Sequence, residues 1–177
     1  MLKLKYLFEN NELAKMSLKN WDYDTENLER MLQYFRISSN AIYPYTYEGK
    51  TRLLRLSPME EKLHNNIYGE IEFISHLNQS NFPALNVIQS LQGNLVEEVS
   101  TPWGAYYASV FDRVPGVQIG KTDLSEEIVY EYGRTLGKLH SVSAKYNPNI
   151  RRWSHIDIFK WIEKIVIGKR EGLQFIC

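Results

Sequence analysis

The chain has 177 residues, 44% of them hydrophobic and 24% charged, which is enough apolar material for a buried core and too much for global disorder. Its 21 basic residues balance 21 acidic ones, so no charge surplus draws it to nucleic acid or to an anionic membrane surface. A single cysteine, Cys177, excludes an internal disulfide framework and a cysteine-rich zinc site, and the four histidines do not pair at metal-binding helical spacing.

The N-terminal apolar run is broken by Glu9, Asn10 and Asn11, which is not a signal-peptide pattern, and no stretch of 18 apolar residues exists to span a membrane. The expectation is a soluble cytoplasmic protein. Residues 2–20 read as a mixed helix with Leu4, Leu7, Leu13 and Met16 as its apolar positions, and 24–34 carries helix formers. Short strand-like runs at 35–37 and 41–43 flank the turn signal Ser38-Ser39-Asn40. Pro44 within the aromatic run 43–47 suits an edge strand, Glu48-Gly49 is a second turn, and 51–56 is a third strand ended by Ser57-Pro58. From Glu60 the spacing becomes helical, with Ile67, Ile71, Ile74 and Leu77 on one face.

After a loop at 78–83, residues 84–91 and 94–99 read as a hairpin around Gln92-Gly93, and 105–114 as a long, central apolar strand. Residues 115–121 form a loop. Asp123-Leu124-Ser125-Glu126 fits a capping box, and the helix it opens places Ile128, Tyr132, Leu136 and Leu139 on one face. A last amphipathic helix is expected at 156–167. The sum is five strands with a helix between the third and fourth, then helices only: an α+β chain with a mainly antiparallel sheet.

Four features bear on chemistry. Arg55 sits in an apolar strand, where a cation could reach phosphate oxygens with Glu70 of the next helix holding it; Arg52 is equally available on spacing alone. The turn Ser38-Ser39-Asn40 offers hydroxyls and N–H groups but no glycine, so close backbone approach to phosphate is hindered. Gly116-Val117-Gln118-Ile119-Gly120-Lys121-Thr122 imitates a phosphate-binding P-loop, but it has three residues between the glycines where four are needed. His155-Ile156-Asp157 imitates the His-x-Asp of a catalytic loop, yet the position five residues past the aspartate is Ile162 rather than asparagine. It reads better as a helix start.

Together these segments resemble the aminoglycoside phosphotransferase-like kinases, a family that includes homoserine kinase of the second type, fructosamine kinases and choline-kinase relatives. Thr51-Arg52-Leu53-Leu54-Arg55-Leu56 is similar to that family's third strand. Gly69-Glu70-Ile71-Glu72-Phe73-Ile74-Ser75-His76-Leu77 is similar to the helix supplying the glutamate. Ala108-Ser109-Val110-Phe111-Asp112-Arg113-Val114-Pro115-Gly116 is similar to the hinge, and Tyr132-Gly133-Arg134-Thr135-Leu136-Gly137-Lys138-Leu139-His140 to the helix ending in Leu-His.

The resemblance implies a protein-kinase-like N-lobe, a five-stranded sheet with one helix, over 1–114 with an N-terminal helical extension. It implies the hinge and an incomplete helical C-lobe over 115–177. It implies ATP as the nucleotide, a small-molecule hydroxyl as acceptor, and the cofactor-binding set Arg55, Glu70, Ser38, Ser39, Asn40, Phe111, Asp112 and Val114. Arg55 would contact phosphates, Glu70 would orient it, backbone groups at Asp112 and Val114 would meet adenine, and the 38–40 turn would lie over the phosphates. The full-length family also uses Mg2+ and later catalytic aspartates. After Asp157 this sequence has no aspartate, so the expectation is a truncated lobe that is inactive alone, or else a non-catalytic nucleotide-binding or interaction module. An exposed face on the helix at 125–140 is then expected to offer a surface for association.

Overall fold

The structure, a computed structural model, describes residues 10–151. The expected helix at 156–167 and His155-Ile156-Asp157 lie outside the described residues, as do positions 2–9 of the first expected helix. Elements follow in the order α1 (Asn11–Leu18), α2 (Leu28–Leu32), β1 (Arg36–Ile37), β2 (Ala41–Tyr47), β3 (Lys50–Pro58), α3 (His64–Gln79), β4 (Val87–Ile88), β5 (Glu97–Thr101), β6 (Gly104–Asp112) and α4 (Glu126–Ser143).

Every strand pairing is antiparallel, in the order β1-β2-β3-β6-β4, with β5 also on β6. Among the described residues the sheet has six strands rather than five, and the expected hairpin at 84–99 does not form. Gln92-Gly93 is a real turn: Gly93 takes a positive φ and donates its N–H to Ser90 C=O. Yet the segments beside it pair with β6 and not with each other, β4 at Phe111 and Val110, β5 from Ala108 to Gly104. One edge of β6 is therefore filled by two short strands end to end. β3 also runs on through Ser57-Pro58, because β6 continues to pair with it there.

The alternation of β2, β3 and β6 sorts side chains onto two faces. Tyr43, Tyr45, Leu54, Leu56, Tyr106, Ala108 and Val110 point to one face, where Leu13, Ala14 and Leu18 of α1, Trp21, and Leu28 and Leu32 of α2 close over them. The helix α1 begins at Asn10, whose side chain accepts the Leu13 N–H at 3.0 Å. Asp24 then ties this N-terminal segment to the sheet by accepting the Glu48 and Gly49 N–H groups of the β2–β3 turn. Both turn residues have positive φ, which suits glycine at the second position.

On the other face, α3 lays Ile67, Ile71 and Ile74 against Val96, Tyr107 and Phe111. It covers the β6 end of this face, while Ile42, Pro44 and Leu53 stay only half-buried. Pro44 lies beyond the part of β2 that β1 reaches, as expected of an edge.

At the other end of the described chain, α4 is capped by Ser125, whose hydroxyl accepts the Ile128 N–H, not by Asp123. Leu124, just before the cap, has a positive φ and breaks the expected box. α4 buries none of its residues; Tyr132 and Leu136 of its expected apolar face are exposed.

Candidate functional site

β3 decides between the two arginines by parity. Arg52 points to the covered face, where its guanidinium lies 4.6 Å from the Tyr47 ring and 3.8 Å from the Asp112 carboxylate. Arg55 points to the α3 face, and its Nη1 donates to both carboxylate oxygens of Glu70, at 2.8 and 3.0 Å. The arginine side chain is 10% exposed and the glutamate 37%. The Phe111 ring lies beneath the guanidinium at 4.9 Å, a second support for its orientation.

Glu70 thus engages only one of the three guanidinium nitrogens. Nε and Nη2 of Arg55 are buried and meet no acceptor among the described residues. Buried donors without partners cost roughly 1–3 kcal/mol each, so such a pair favours any acceptor that can reach it. The fork geometry of a guanidinium suits two oxygens of a carboxylate or phosphate.

Along the same face a cavity of about 470 Å³ is lined by Met31, Tyr34, Arg36, Ile42, Pro44, Thr51, Leu53 and Arg113. Leu53 is two residues from Arg55 on one strand face, about 7 Å along it, so the cavity and the cation are neighbours. The volume is that of a typical small-ligand site. These lining residues escaped the sequence reading. Their signal was available in the alternation of β2 and β3, which puts Ile42, Pro44 and Leu53 on the side of Arg55 once that side is chosen.

The remaining expected site residues fall around this centre. Ser38, Ser39 and Asn40 form the β1–β2 turn, with the two serines exposed. Asn40 is fixed: its Oδ1 accepts the Ser57 hydroxyl at 2.9 Å, and Ser57 is on the Arg55 side of β3. Phe111 is buried between the arginine and α3. Asp112 ends β6 with its carboxylate held by Asn86 Nδ2 at 2.6 Å, and its N–H donates to Asn86 C=O. The Arg113 N–H donates to Thr51 C=O, and Val114 is 61% exposed. Val114 is therefore the open part of the expected hinge, while Asp112 is tied into the sheet.

The rival phosphate loop does not form. Ile119–Lys121 is a single 3-10 turn, and the Lys121 and Thr122 N–H groups donate back to Gln118 and Ile119 C=O. These N–H groups are spent within the turn, and α4 starts only at Glu126. Among the described residues no group of three or more His, Cys, Asp or Glu side chains could hold a metal ion, so they do not fit the Mg2+ that the family resemblance implies. No step through a metal follows from them.

The chain is 22% identical over 153 residues to amicoumacin kinase of Bacillus subtilis (strain 168), covering 84% of this chain and 44% of that protein. It is 30% identical over 141 residues to an uncharacterized protein of Synechocystis, covering 79% of this chain and 38% of the other. The chain thus spans less than half the length of these curated relatives. Among solved structures it is similar to amicoumacin kinase hAmiN in complex with AMP-PNP, Ca2+ and Ami. There the TM-score is 0.73 at 17% identity, over 99% of this chain and 57% of that one. It is also similar to a microcompartment-associated aminopropanol kinase, with a TM-score of 0.63 at 19% identity over 81% and 44% of the two chains. Residues 35–164 match the model of the phosphotransferase enzyme family, and the chain belongs to that family.

Proposed function

We propose that this chain is the nucleotide-binding lobe of an ATP-dependent phosphotransferase acting on a small-molecule hydroxyl, and that alone it binds nucleotide without transferring phosphate. The observation that carries the reading is the Arg55 guanidinium, anchored by Glu70 on one nitrogen with two buried donors left over. In this reading those donors receive phosphate oxygens, and the cavity at Ile42, Pro44 and Leu53 takes the base, with Arg113 of the expected hinge in its wall. The 38–40 turn, braced by Ser57, lies over the phosphates.

Kinases and the related AMP-PNP complex supply the analogy for nucleotide use. Phosphoryl transfer further needs a positioned base and metal-bound oxygens, and aspartate is absent from this sequence after Asp157. The acceptor stays at the level of a small hydroxyl-bearing molecule, and localisation in the cytoplasm rests on sequence alone; among the described residues no helix is long and apolar enough to cross a membrane.

Titration calorimetry with ATP and Mg2+ tests the reading. Binding that Arg55→Ala weakens by about 10–100-fold, the worth of charge-assisted hydrogen bonds, and that Lys121→Ala leaves unchanged is the expected result. Absence of ATP binding to the wild-type chain overturns it, and so does binding that depends on Lys121 instead.

A further inference from the structure

The helix that carries Glu70 carries a second carboxylate with a different attachment. Glu72 lies two residues on, roughly 200° around the helix, on the side away from the sheet. It accepts four hydrogen bonds from one short segment: the Tyr146 hydroxyl at 2.9 Å, the Asn149 N–H at 3.1 Å, the Asn149 side-chain amide, and the Ile150 N–H at 3.1 Å. Asn65 and His76 fall on the same stripe of α3. Asn65 Nδ2 donates to Arg151 C=O, and His76 Nε2 is 3.2 Å from Val142 C=O. The Tyr146 ring packs 5.0 Å from both the Phe73 and His76 rings.

This cluster stands out because α4 buries no residue of its own. Its C-terminal end is tied to α3 by the polar and ring contacts at His76 and Tyr146. Burial would raise the Glu72 carboxyl, but the bonds from Asn149, Tyr146 and the two backbone N–H groups outweigh it and hold the group below the ordinary carboxylate range.

α3 is consequently gripped from two sides. Toward the sheet it offers Ile67, Ile71, Ile74 and Glu70; toward the end of α4 and the segment after it, it offers Asn65, Glu72 and His76. A helix moves as a rod, so displacing one stripe displaces the other.

We propose that Glu72 is a positioning residue that couples the 146–150 segment to the phosphate site: by seating that segment on α3 it sets the position of Glu70, and through Glu70 the aim of Arg55. The consequence for nucleotides rests on the function proposed above; the coupling of Glu72 to Arg55 does not. Nucleotide recognition then splits. Phosphate contacts respond to the state of the 146–150 segment, and base contacts in the cavity at Ile42 and Leu53, which belongs to other elements, do not.

The test uses the full 177-residue chain with Glu72→Gln and, as a milder variant, Tyr146→Phe. The first readout is nitrogen-15 NMR of the Arg55 side-chain Nε–H, in the absence of any nucleotide. Faster exchange of that proton, by about tenfold for Glu72→Gln and less for Tyr146→Phe, is expected from a coupling of ordinary size. An Arg55 signal unchanged while the 146–150 amides lose protection overturns the proposal. If Glu72→Gln fails to fold, the Tyr146→Phe comparison decides.

The second readout is affinity for ATP and for adenosine. The proposal expects Glu72→Gln to weaken ATP by about tenfold and leave adenosine unchanged, and to add nothing in a Glu70→Gln background. Equal loss of both ligands, or full additivity with Glu70→Gln, marks a merely structural role and overturns it. If the wild-type chain binds no ATP, the proposed function fails, while the NMR comparison still tests the coupling.

Discussion

Along β3, Leu54 and Leu56 point under the N-terminal helices and are fully enclosed, while Leu53 and Arg55, their neighbours in sequence, point the other way. The covered face is a continuous apolar layer of Leu13, Leu18, Leu32, Tyr43 and Tyr45 around these leucines. The opposite face is only partly roofed by α3 and leaves Ile42, Pro44 and Leu53 half-exposed beside a buried cation with spare donors. One face encloses its apolar side chains, with the Tyr45 hydroxyl and Arg52 Nε buried among them, and the other leaves apolar and donor groups beside a cavity. Stability and ligand recognition should therefore be separable by residue parity on one strand.

The sharpest way to break the covered face is alkali. Burial pushes the Tyr43 and Tyr45 phenols up to about 12 from an ordinary value near 10. A raised folded value means the stabilisation is whole below the unfolded value and is lost as pH rises through the folded one. Each two-unit rise is worth roughly 3 kcal/mol between the two protonation states. Circular dichroism is expected to show cooperative unfolding between pH 10 and 12, and Tyr45→Phe to move that transition upward. A chain that stays folded through pH 12 with both phenols ionised would show that the face is not sealed.

Next in size is the contrast Leu54→Ala against Leu53→Ala. Emptying the enclosed site should cost about 2–5 kcal/mol in urea denaturation, and the half-exposed site less than about 1.5 kcal/mol. In ATP titration the order is expected to reverse: Leu53→Ala weakens binding because it removes cavity wall, and Leu54→Ala, where it stays folded, does not.

The arginines give the same contrast in charge. Arg55→Ala should weaken ATP by about 10–100-fold, whereas Arg52→Ala should change affinity by less than about twofold, because its partners are Asp112 and Tyr47 on the covered side. Comparable losses would mean that the faces communicate.

Much of this division was legible in the sequence, but not which arginine was on which side. Leu53-Leu54-Arg55-Leu56 places leucines on both faces, so alternation within that run carries no sign. The sign comes from β2, where Tyr43 and Tyr45 commit one face to the core, and from α3, which brings Glu70 to Arg55. The pairing of β4 and β5 was illegible for a related reason. A turn signal such as Gln92-Gly93 specifies a local reversal, and the partner of each flanking segment is chosen by the open edge of β6. Residues 2–20 read only as mixed helix and 24–34 only as carrying helix formers, since α1 has two turns and α2 little more than one, too short for periodicity to declare a face. The Glu72 cluster joins residues more than 70 positions apart and leaves no local pattern.

The smallest predicted effect tests whether the covered face is also the anchor of the sheet edge. Trp21 is 2% exposed, and its indole N–H donates to Ile88 C=O at 3.1 Å, while Leu91 N–H donates to Asn20 C=O. β4 has only two residues, so this bridge from the N-terminal segment is a large share of what holds it against β6. Trp21→Phe keeps most of the apolar bulk and removes the donor. It should cost about 0.5–1.5 kcal/mol in urea denaturation, with faster amide exchange at Val87 and Ile88. ATP affinity should not move, because neither Trp21 nor Ile88 lines the cavity beside Arg55. A loss of affinity without a loss of stability would reverse that assignment, making β4 part of the ligand site through its pairing with Phe111 and Val110.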